Sequence, residues 1–239
     1  MPLHPVIAPE IFALRPDFTA LSIAVAGGAN RASDAASARW LAEAIAGLDA
    51  APSWAEAHLE AWRDAYRDFG AKPKRTPCSA EALRKRVQRD GELRPANAVV
   101  DLYNAVSLRY AIPVGGEDAA RYAGAPTLRR ALGTEPFETM AEGAPVTETP
   151  EAGEVIWCDA TGVTCRRWNW RQGRRTQLTE ASHDMWFVLE RLEPMPVEAV
   201  IEAGRSLVLG LLDLSPGATI TAAIIHQSQP EGRMVGLGW

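Results

Sequence analysis

The sequence has few cysteines: Cys78, Cys158 and Cys165 are the three among 239 residues. Three thiols so widely spaced cannot form the disulfide framework of a small secreted domain, and they fall short of a four-ligand zinc site. The four histidines show no paired metal-binding spacing, and no glycine-rich loop precedes a Lys-Ser or Lys-Thr pair that would cradle a phosphate. We therefore expect no metal and no nucleotide or nicotinamide cofactor.

Long apolar runs are also missing, because every apolar segment is interrupted well before the length of a membrane span. The chain begins Met1-Pro2-Leu3-His4, without the basic region of a secretory leader. We expect a soluble, cytoplasmic protein that contacts no membrane. With 239 residues, 47% of them hydrophobic, the chain can bury a large core, so a single domain over residues 1–239 is the default expectation.

Negative charge slightly outweighs positive charge, with a net charge of -5, and much of the positive charge is concentrated in two segments. The first comprises Lys72, Lys74, Arg75, Arg84, Lys85, Arg86 and Arg89; the second lies within residues 166–175. An acidic protein with local basic patches does not coat DNA or RNA along its length and fits a partner that it meets at one place. The first segment has two interpretations that stay open, a solvated surface helix and a contact with RNA.

The order of predicted elements favours an α+β fold. Helices are predicted over residues 35–48, 53–69, 79–88, 97–112 and 196–214, and strands over 20–26, 154–159, 163–170, 185–192 and 218–226. We expect one or two short helices over 118–132 and irregular chain over 133–150. Segregated runs of this kind are typical of a layered domain in which helices pack on a mixed sheet, rather than of a doubly wound sheet. His58 lies within an apolar helical stripe and is expected to be a hydrogen-bonded core histidine.

The stretch from Leu93 to Asp118 predicts the central helix of the fold. At about 100° per residue, apolar side chains fall on one side of this helix and short polar ones on the other. The polar set is Asn97, Asp101, Asn104 and, at its flank, Ser107. Such a side suits a wall that binds backbone or ligand better than a solvated face. Pro113 should end the helix, and Gly115-Gly116 should form a tight turn.

Glu117 and Asp118 follow that predicted turn, where backbone can approach a ligand closely. A carboxylate here could orient water or bind an ammonium group. We expect Asp118 to cap the next helix, which leaves Glu117 as the functional candidate. Ser182-His183-Asp184 is not interpreted as a catalytic triad, because neighbours in sequence do not converge on one reacting atom.

The segment from Arg166 to Arg171 reads Arg-Arg-Trp-Asn-Trp-Arg. As a strand it would place its two tryptophans on one face and Arg167, Asn169 and Arg171 on the other. Bases stack on indoles and phosphates pair with guanidinium groups, so the pattern suits a surface for single-stranded nucleic acid. The alternative is that both tryptophans lie in the core and the arginines pair with glutamates of residues 135–154.

Two stretches resemble the B3/B4-type editing module of the phenylalanyl-tRNA synthetase beta subunit, and still more its freestanding single-domain relatives. The first is Asn-Ala-Val-Val-Asp-Leu-Tyr-Asn-Ala-Val at residues 97–106, followed by Pro-Val-Gly-Gly-Glu-Asp at 113–118. The second runs from Gly153 to Trp157 and from Arg166 to Arg171. The resemblance implies a single layered α+β domain of the B3/B4 type.

Editing modules of this kind hydrolyse the ester that joins a wrong amino acid to the terminal adenosine of tRNA. The resemblance therefore implies a freestanding aminoacyl-tRNA deacylase, a hydrolase without a cofactor whose partner is the aminoacylated 3′ end of tRNA. An aminoacyl ester is already activated, so the enzyme need only position water and stabilise an oxyanion. The alternative is a noncatalytic module that binds the tRNA end or an amino acid. Hydrolysis of a small ester or amide unrelated to tRNA would leave the first basic segment without a role.

Carried onto this sequence, the resemblance implies three groups of site residues. The catalytic candidates are Glu117, Asn169 and Arg171. The substrate-binding candidates are Asn104, Ser107, Gly115, Gly116, Arg167, Trp168 and Trp170. The tRNA-contact candidates are Lys72, Lys74, Arg75, Arg84 and Lys85. Synthetase modules have a histidine where this chain has Gly115 and a Gly-Gly-Glu loop where it has Trp-Asn-Trp-Arg, so a preference for mischarged tyrosine is not implied.

Overall fold

Two five-stranded sheets and the helices around them make up the fold. The computed structural model describes residues 3–238, in which there are six α-helices: α1 (Pro9–Leu14), α2 (Ala35–Ala46), α3 (Ala55–Asp68), α4 (Ser79–Asp90), α5 (Ala98–Tyr110) and α6 (Val197–Leu214). The strands of that range are β1 (Val6–Ile7), β2 (Thr19–Ala26), β3 (Val114–Asp118), β4 (Thr127–Arg130), β5 (Phe137–Ala141), β6 (Ala144–Glu148), β7 (Val155–Cys158), β8 (Val163–Arg166), β9 (Arg171–Gln172), β10 (Met185–Arg191), β11 (Thr219–His226) and β12 (Gln229–Met234). Over the same residues, every helix is too short or too polar to cross a membrane.

The strand order confirms the α+β prediction. The first sheet runs β12-β11-β2-β10-β3 with all neighbours antiparallel. The second runs β1-β4-β7-β8-β9, and its one parallel pair, β1 with β4, makes it a mixed sheet. β5 and β6 form a separate hairpin.

Alternate residues of β10 face two different apolar layers, because side chains of a strand alternate between its faces. Met185, Phe187 and Leu189 pack with α5 and α6 on the outer face of the first sheet. Trp186 and Val188 belong to the layer between the two sheets, where α1 and α3 also pack. The first sheet is therefore buried on both faces along this strand.

Polar side chains at the start of α5 form hydrogen bonds with nearby backbone N–H groups and with the neighbouring helix α2. Asn97 caps α5 by accepting from Val100 N at 3.0 Å. Asp101 is fully buried and accepts from Ser37 Oγ at 3.1 Å and from Ala96 N at 2.9 Å. Two of the polar residues predicted to form a binding wall are thus structural, which satisfies polar groups at a buried helix start.

His58 is a core histidine, as predicted. Its Nδ1 lies 2.9 Å from the Ala111 carbonyl oxygen, and its Nε2 accepts from Trp62 Nε1 at 3.1 Å. Burial lowers its pKa to about 4, so the ring is neutral at pH 7.

The predicted glycine turn is wrong, because Gly115 and Gly116 lie within β3. They pair with Val188 and Phe187 of β10. A Cβ at Gly116 would lie 2.9 Å from atoms of both Phe187 and Tyr103, so this position needs glycine for close packing rather than for a turn. The helix itself ends at Tyr110, where Ala111 adopts a left-handed conformation two residues before Pro113.

Three other segments differ from prediction. Residues 133–150 contain the β5–β6 hairpin around Glu142-Gly143, both with positive φ, a two-residue turn that the alternating flanks should have indicated. Residues 118–132 contain one short 3-10 helix and then β4. The predicted strand over 163–170 ends at Arg166, since Arg167 and Trp168 have positive φ and reverse the chain.

Candidate functional site

A cavity of about 230 Å³ opens between the two sheets, where the edge strands β3 and β9 meet. Its floor is one face of the first sheet, formed by Gly115, Glu117, Trp186, Val188 and Glu190. Its opposite wall comes from the second sheet and the turn after β8, with Trp157, Cys165, Trp168, Asn169, Trp170 and Gln172. α4 and α5 close one side, with Arg86 and Asn104 among the lining residues.

The strand register fixes the position of the two carboxyl groups in this cavity. Trp186 lies opposite Glu117, and Val188 lies opposite Gly115. Glu190 is four residues beyond Trp186 on the same face, which places its Cα about 13 Å along the sheet from that end. Glu117 and Glu190 therefore stand at opposite ends of the floor, with Gly115 and Val188 between them. Since Gly115 has no side chain, the middle of the floor is open.

Glu117 is 4% exposed and is held by a hydrogen bond from the Tyr122 hydroxyl. Burial raises the pKa of its carboxyl to about 8, although nearby Gln172, Thr176 and Thr164 oppose the rise. The group is therefore mostly protonated at pH 7 and can donate a hydrogen bond into the cavity. Asp118 points away and caps the next short helix through Ala120 N, as predicted.

Glu190 was not predicted and is part of the cavity's main hydrogen-bond network. Its carboxylate accepts from Trp157 Nε1 at 3.0 Å and from Asn169 Nδ2 at 2.9 Å. The Asn169 Oδ1 accepts in turn from the Tyr66 hydroxyl at 2.9 Å. Burial raises the pKa of Glu190 to about 7, so the group changes charge near neutral pH. A single acidic residue in the apolar run Met-Trp-Phe-Val-Leu-Glu is the signal that could have found it.

The turn after β8 places Asn169 and Trp170 at the cavity. Arg167 and Trp168 have φ of 47° and 66°, a conformation that costs side-chain-bearing residues energy. It is held by Trp168 N donating to Val155 O at 2.6 Å and by Arg167 N donating to Glu154 Oε1 at 3.0 Å. The Trp168 ring is fully buried against Trp62 and Phe18. It therefore belongs to the core and also lines the cavity.

Four predicted site residues lie outside the cavity. Ser107 is buried and donates to the Ile112 carbonyl at 2.7 Å, which closes the end of α5. Gly116 faces Phe187 and Tyr103. Arg171 donates to the Met140 carbonyl at 2.8 Å, and Arg167 stacks on the Trp170 ring at 4.5 Å. The structure brings Asn104, Gly115, Glu117, Trp168, Asn169 and Trp170 together around one space.

The five predicted tRNA-contact residues separate into two groups. Lys72, Lys74 and Arg75 are exposed in the loop between α3 and α4. Arg84 is half-buried and donates to the Leu108 carbonyl at 3.1 Å, while Lys85 pairs with Glu81 at 2.5 Å. The α4 pair is thus engaged in contacts within the chain.

The other residues considered for catalysis or metal binding do not form a site. Ser182 donates to Asp118 at 2.7 Å, and His183 contacts the Gly28 carbonyl, so the Ser182-His183-Asp184 run forms no triad. Burial raises the pKa of the Cys165 thiol well above its usual range. Across residues 3–238, no three His, Cys, Asp or Glu side chains are grouped to hold a metal ion.

Comparison with known proteins defines the class. The B3/4 domain family model matches residues 61–203, more than half of the chain, and the chain therefore belongs to this family. This confirms the resemblance drawn from residues 97–118 and 153–171. A similar solved structure is the crystal structure of an N-terminal fragment of the phenylalanyl-tRNA synthetase beta-subunit from Pyrococcus horikoshii. It shares 11% sequence identity at a TM-score of 0.43, and the match covers 90% of this chain and 49% of that one, so this chain spans about half of its length. No curated protein matches the chain.

Proposed function

We propose that this protein is an aminoacyl-tRNA deacylase that acts in trans on misacylated tRNA. The observation that carries the proposal is the cavity with a carboxyl group at each end and an open, apolar middle. Its volume of about 230 Å³ is below the roughly 300–1,000 Å³ of sites for drug-sized ligands. An aminoacyl group fits this space better than a nucleotide-sized cofactor does.

The two carboxyl groups suit different steps of ester hydrolysis. Glu117, kept neutral by burial, can donate a hydrogen bond to the oxygen that becomes negative when water attacks the ester carbonyl. Arg171, one of the catalytic candidates, has no part in this step, because its guanidinium donates to the Met140 carbonyl. Glu190, with a pKa near the working pH, can bind the substrate ammonium group or accept a proton from the attacking water.

Asn169 would act by holding Glu190. Its amide donates to one Glu190 oxygen while its carbonyl oxygen is fixed by Tyr66, so the orientation of the carboxylate depends on both contacts. We assign Asn169 a positioning role. Trp170 and Trp186 supply apolar walls for the aminoacyl side chain.

The test is incubation of the purified chain with a panel of tRNAs, each carrying a wrong amino acid, and with the matching free amino-acid esters. We expect ester hydrolysis for at least one tRNA, and a loss of turnover in Glu117→Ala, which removes the hydrogen-bond donor, and in Glu190→Gln, which removes the titrating carboxylate, with tRNA binding retained. Absence of deacylation above buffer for every tRNA would remove the proposal. Binding without turnover would identify the noncatalytic module instead, and equal hydrolysis of free esters would show that tRNA is not the substrate.

A further inference from the structure

A second cavity, of about 380 Å³, lies on the other side of the turn after β8. Its basic side chains are Lys72, Arg75 and Arg167, and we call it the basic cavity. It shares no lining residue with the first cavity. The two cavities are nevertheless close together. The Arg167 guanidinium, which lines the basic cavity, lies 4.5 Å from the centre of the Trp170 ring, which lines the first cavity.

The loop that carries Lys72 and Arg75 is held in one conformation. The Lys72 carbonyl accepts from Arg75 N at 2.8 Å and from Thr76 N at 2.9 Å. Ser79 N, at the start of α4, donates to the Asn169 carbonyl at 3.2 Å. The loop is therefore tied to the same turn that supplies Asn169 to the first cavity, which fixes the spacing between the basic cavity and the proposed site of hydrolysis.

The charge of the basic cavity favours an anion even though two glutamates line it. Glu154 is buried and already paired, since Arg166 donates to its two oxygens at 3.0 and 2.8 Å. Glu151 is exposed to solvent. Lys72 and Arg75 have no ion-pair partner in the part of the chain that the structure describes. Two exposed cations without carboxylate partners are thus available to a ligand.

We propose that the basic cavity binds a backbone phosphate of the RNA strand whose 3′ end enters the first cavity. Guanidinium groups bind phosphate oxygens in pairs, and an ammonium group adds a point charge. The stacked Arg167 and Trp170 offer a flat surface for a base between the two cavities. The identity of the ligand as RNA rests on the proposed function, but the binding of a phosphate does not require hydrolysis.

The test measures binding of a 5′-fluorescein RNA minihelix with a single-stranded ACCA 3′ end and no amino acid, by fluorescence anisotropy over a series of KCl concentrations. We expect Lys72→Ala/Arg75→Ala to weaken binding about fivefold or more and to reduce the salt slope by about 0.7 for each phosphate that the protein no longer neutralises. Arg205→Ala is the control, because Arg205 is an exposed cation of α6 that lines neither cavity. It should change affinity less than about twofold. Far-UV circular dichroism checks that each variant folds.

Three results would overturn the proposal. The double variant could bind no more weakly than Arg205→Ala, or it could lose the same affinity for a blunt duplex that lacks the single-stranded end. Alternatively, AMP or inorganic phosphate could require Lys72 and Arg75 while minihelix binding does not, which would identify a site for a free nucleotide or phosphate. Because this RNA carries no aminoacyl ester, the outcome is independent of the deacylation assay, so either idea can fail while the other stands.

Discussion

At the scale of single residues, the two carboxyl groups of the first cavity differ in what holds them. Glu117 has a tyrosine hydroxyl, whereas Glu190 has an indole and a side-chain amide. Burial raises the pKa of both, to about 8 and about 7. Each group therefore takes up a proton more readily in the folded chain than in the unfolded one, and this gives the stability of the protein a pH dependence of known sign.

Replacing Glu117 by glutamine should flatten that dependence. The folded-state pKa of about 8 lies above the ordinary value of 4.5, so this stabilisation is complete below about pH 4.5 and is lost as pH rises through 8. The slope for one such group is at most about 1.4 kcal/mol per pH unit. Urea unfolding near pH 5 and near pH 8 should show a larger loss of unfolding free energy in the natural chain than in Glu117→Gln. Equal losses would contradict the burial of an ionisable group here.

Replacing Asn169 by alanine should destabilise the fold and impair turnover. The change leaves the Tyr66 hydroxyl and one Glu190 oxygen without their partner, at about 1–3 kcal/mol for each buried group that stays unpaired. Chemical denaturation measures the cost. If Asn169 positions Glu190, the variant should also shift the pH profile of kcat, whereas Tyr66→Phe should lower stability and move that profile less. An unchanged profile in Asn169→Ala would remove the positioning role.

At the scale of elements, the adjacent glycines of β3 have opposite orientations. A Cβ at Gly116 meets Phe187 and Tyr103 at 2.9 Å, whereas one at Gly115 meets Val188 Cγ1 at 3.3 Å and otherwise faces the first cavity. A glycine-to-alanine change should therefore affect stability at position 116 and the space in the first cavity at position 115.

Gly116→Ala should lower the unfolding free energy by about 1–3 kcal/mol through overpacking. Gly115→Ala should cost less stability but reduce the space for the aminoacyl side chain, which shifts preference toward smaller amino acids. Thermal unfolding and kcat/KM over the panel of mischarged tRNAs check the pair. A stable Gly116→Ala protein with altered preference would reverse the assignment of faces.

The salt bridges of Arg166 offer a second matched pair. Its partner Glu154 is buried, with 4% of its side chain exposed, whereas its partner Glu148 is 35% exposed. Glu154→Gln should cost about 3–5 kcal/mol, because it leaves a largely buried guanidinium without its main partner. Glu148→Gln should cost less than about 1 kcal/mol. Chemical denaturation of both variants at one pH measures the difference, and equal costs would show that the Glu154 pair is solvated.

The sequence correctly predicted the helices and strands whose own apolar pattern matches the side that they bury in the fold. α2, α3, α4 and α6 have apolar stripes with Asp34 or Pro196 at a start, and β2 and β10 are apolar runs. The turn after β8 was missed because Arg167 and Trp168 carry no glycine-like signal, and only distant contacts, with Glu154 and Val155, hold them there. β3 was missed because two glycines resemble a turn unless the neighbouring Phe187 ring is known. Of the first cavity, Glu117 and Asn169 could be predicted, whereas Glu190 depends on knowing which face of β10 lines it.

At the scale of the whole molecule, the layers on the two faces of the first sheet are linked through β2 and β10. Leu21 and Phe187 pack in one layer, Ala20 and Trp186 in the other. We expect both layers to unfold in a single transition, because neither can lose its strands while the other keeps them. Far-UV circular dichroism and tryptophan fluorescence should give coincident urea curves. Two separate transitions would argue against a single domain.

The alternation along β10 has a practical result for protein engineering. Substitutions at positions 186, 188 and 190 change the lining of the first cavity. Positions 185, 187 and 189, which pack against α5 and α6, can then be left as they are. Cavity-lining and helix-packing side chains thus alternate along one strand, so a library confined to positions 186, 188 and 190 alters the cavity and the layer between the sheets while the contacts with α5 and α6 stay unchanged.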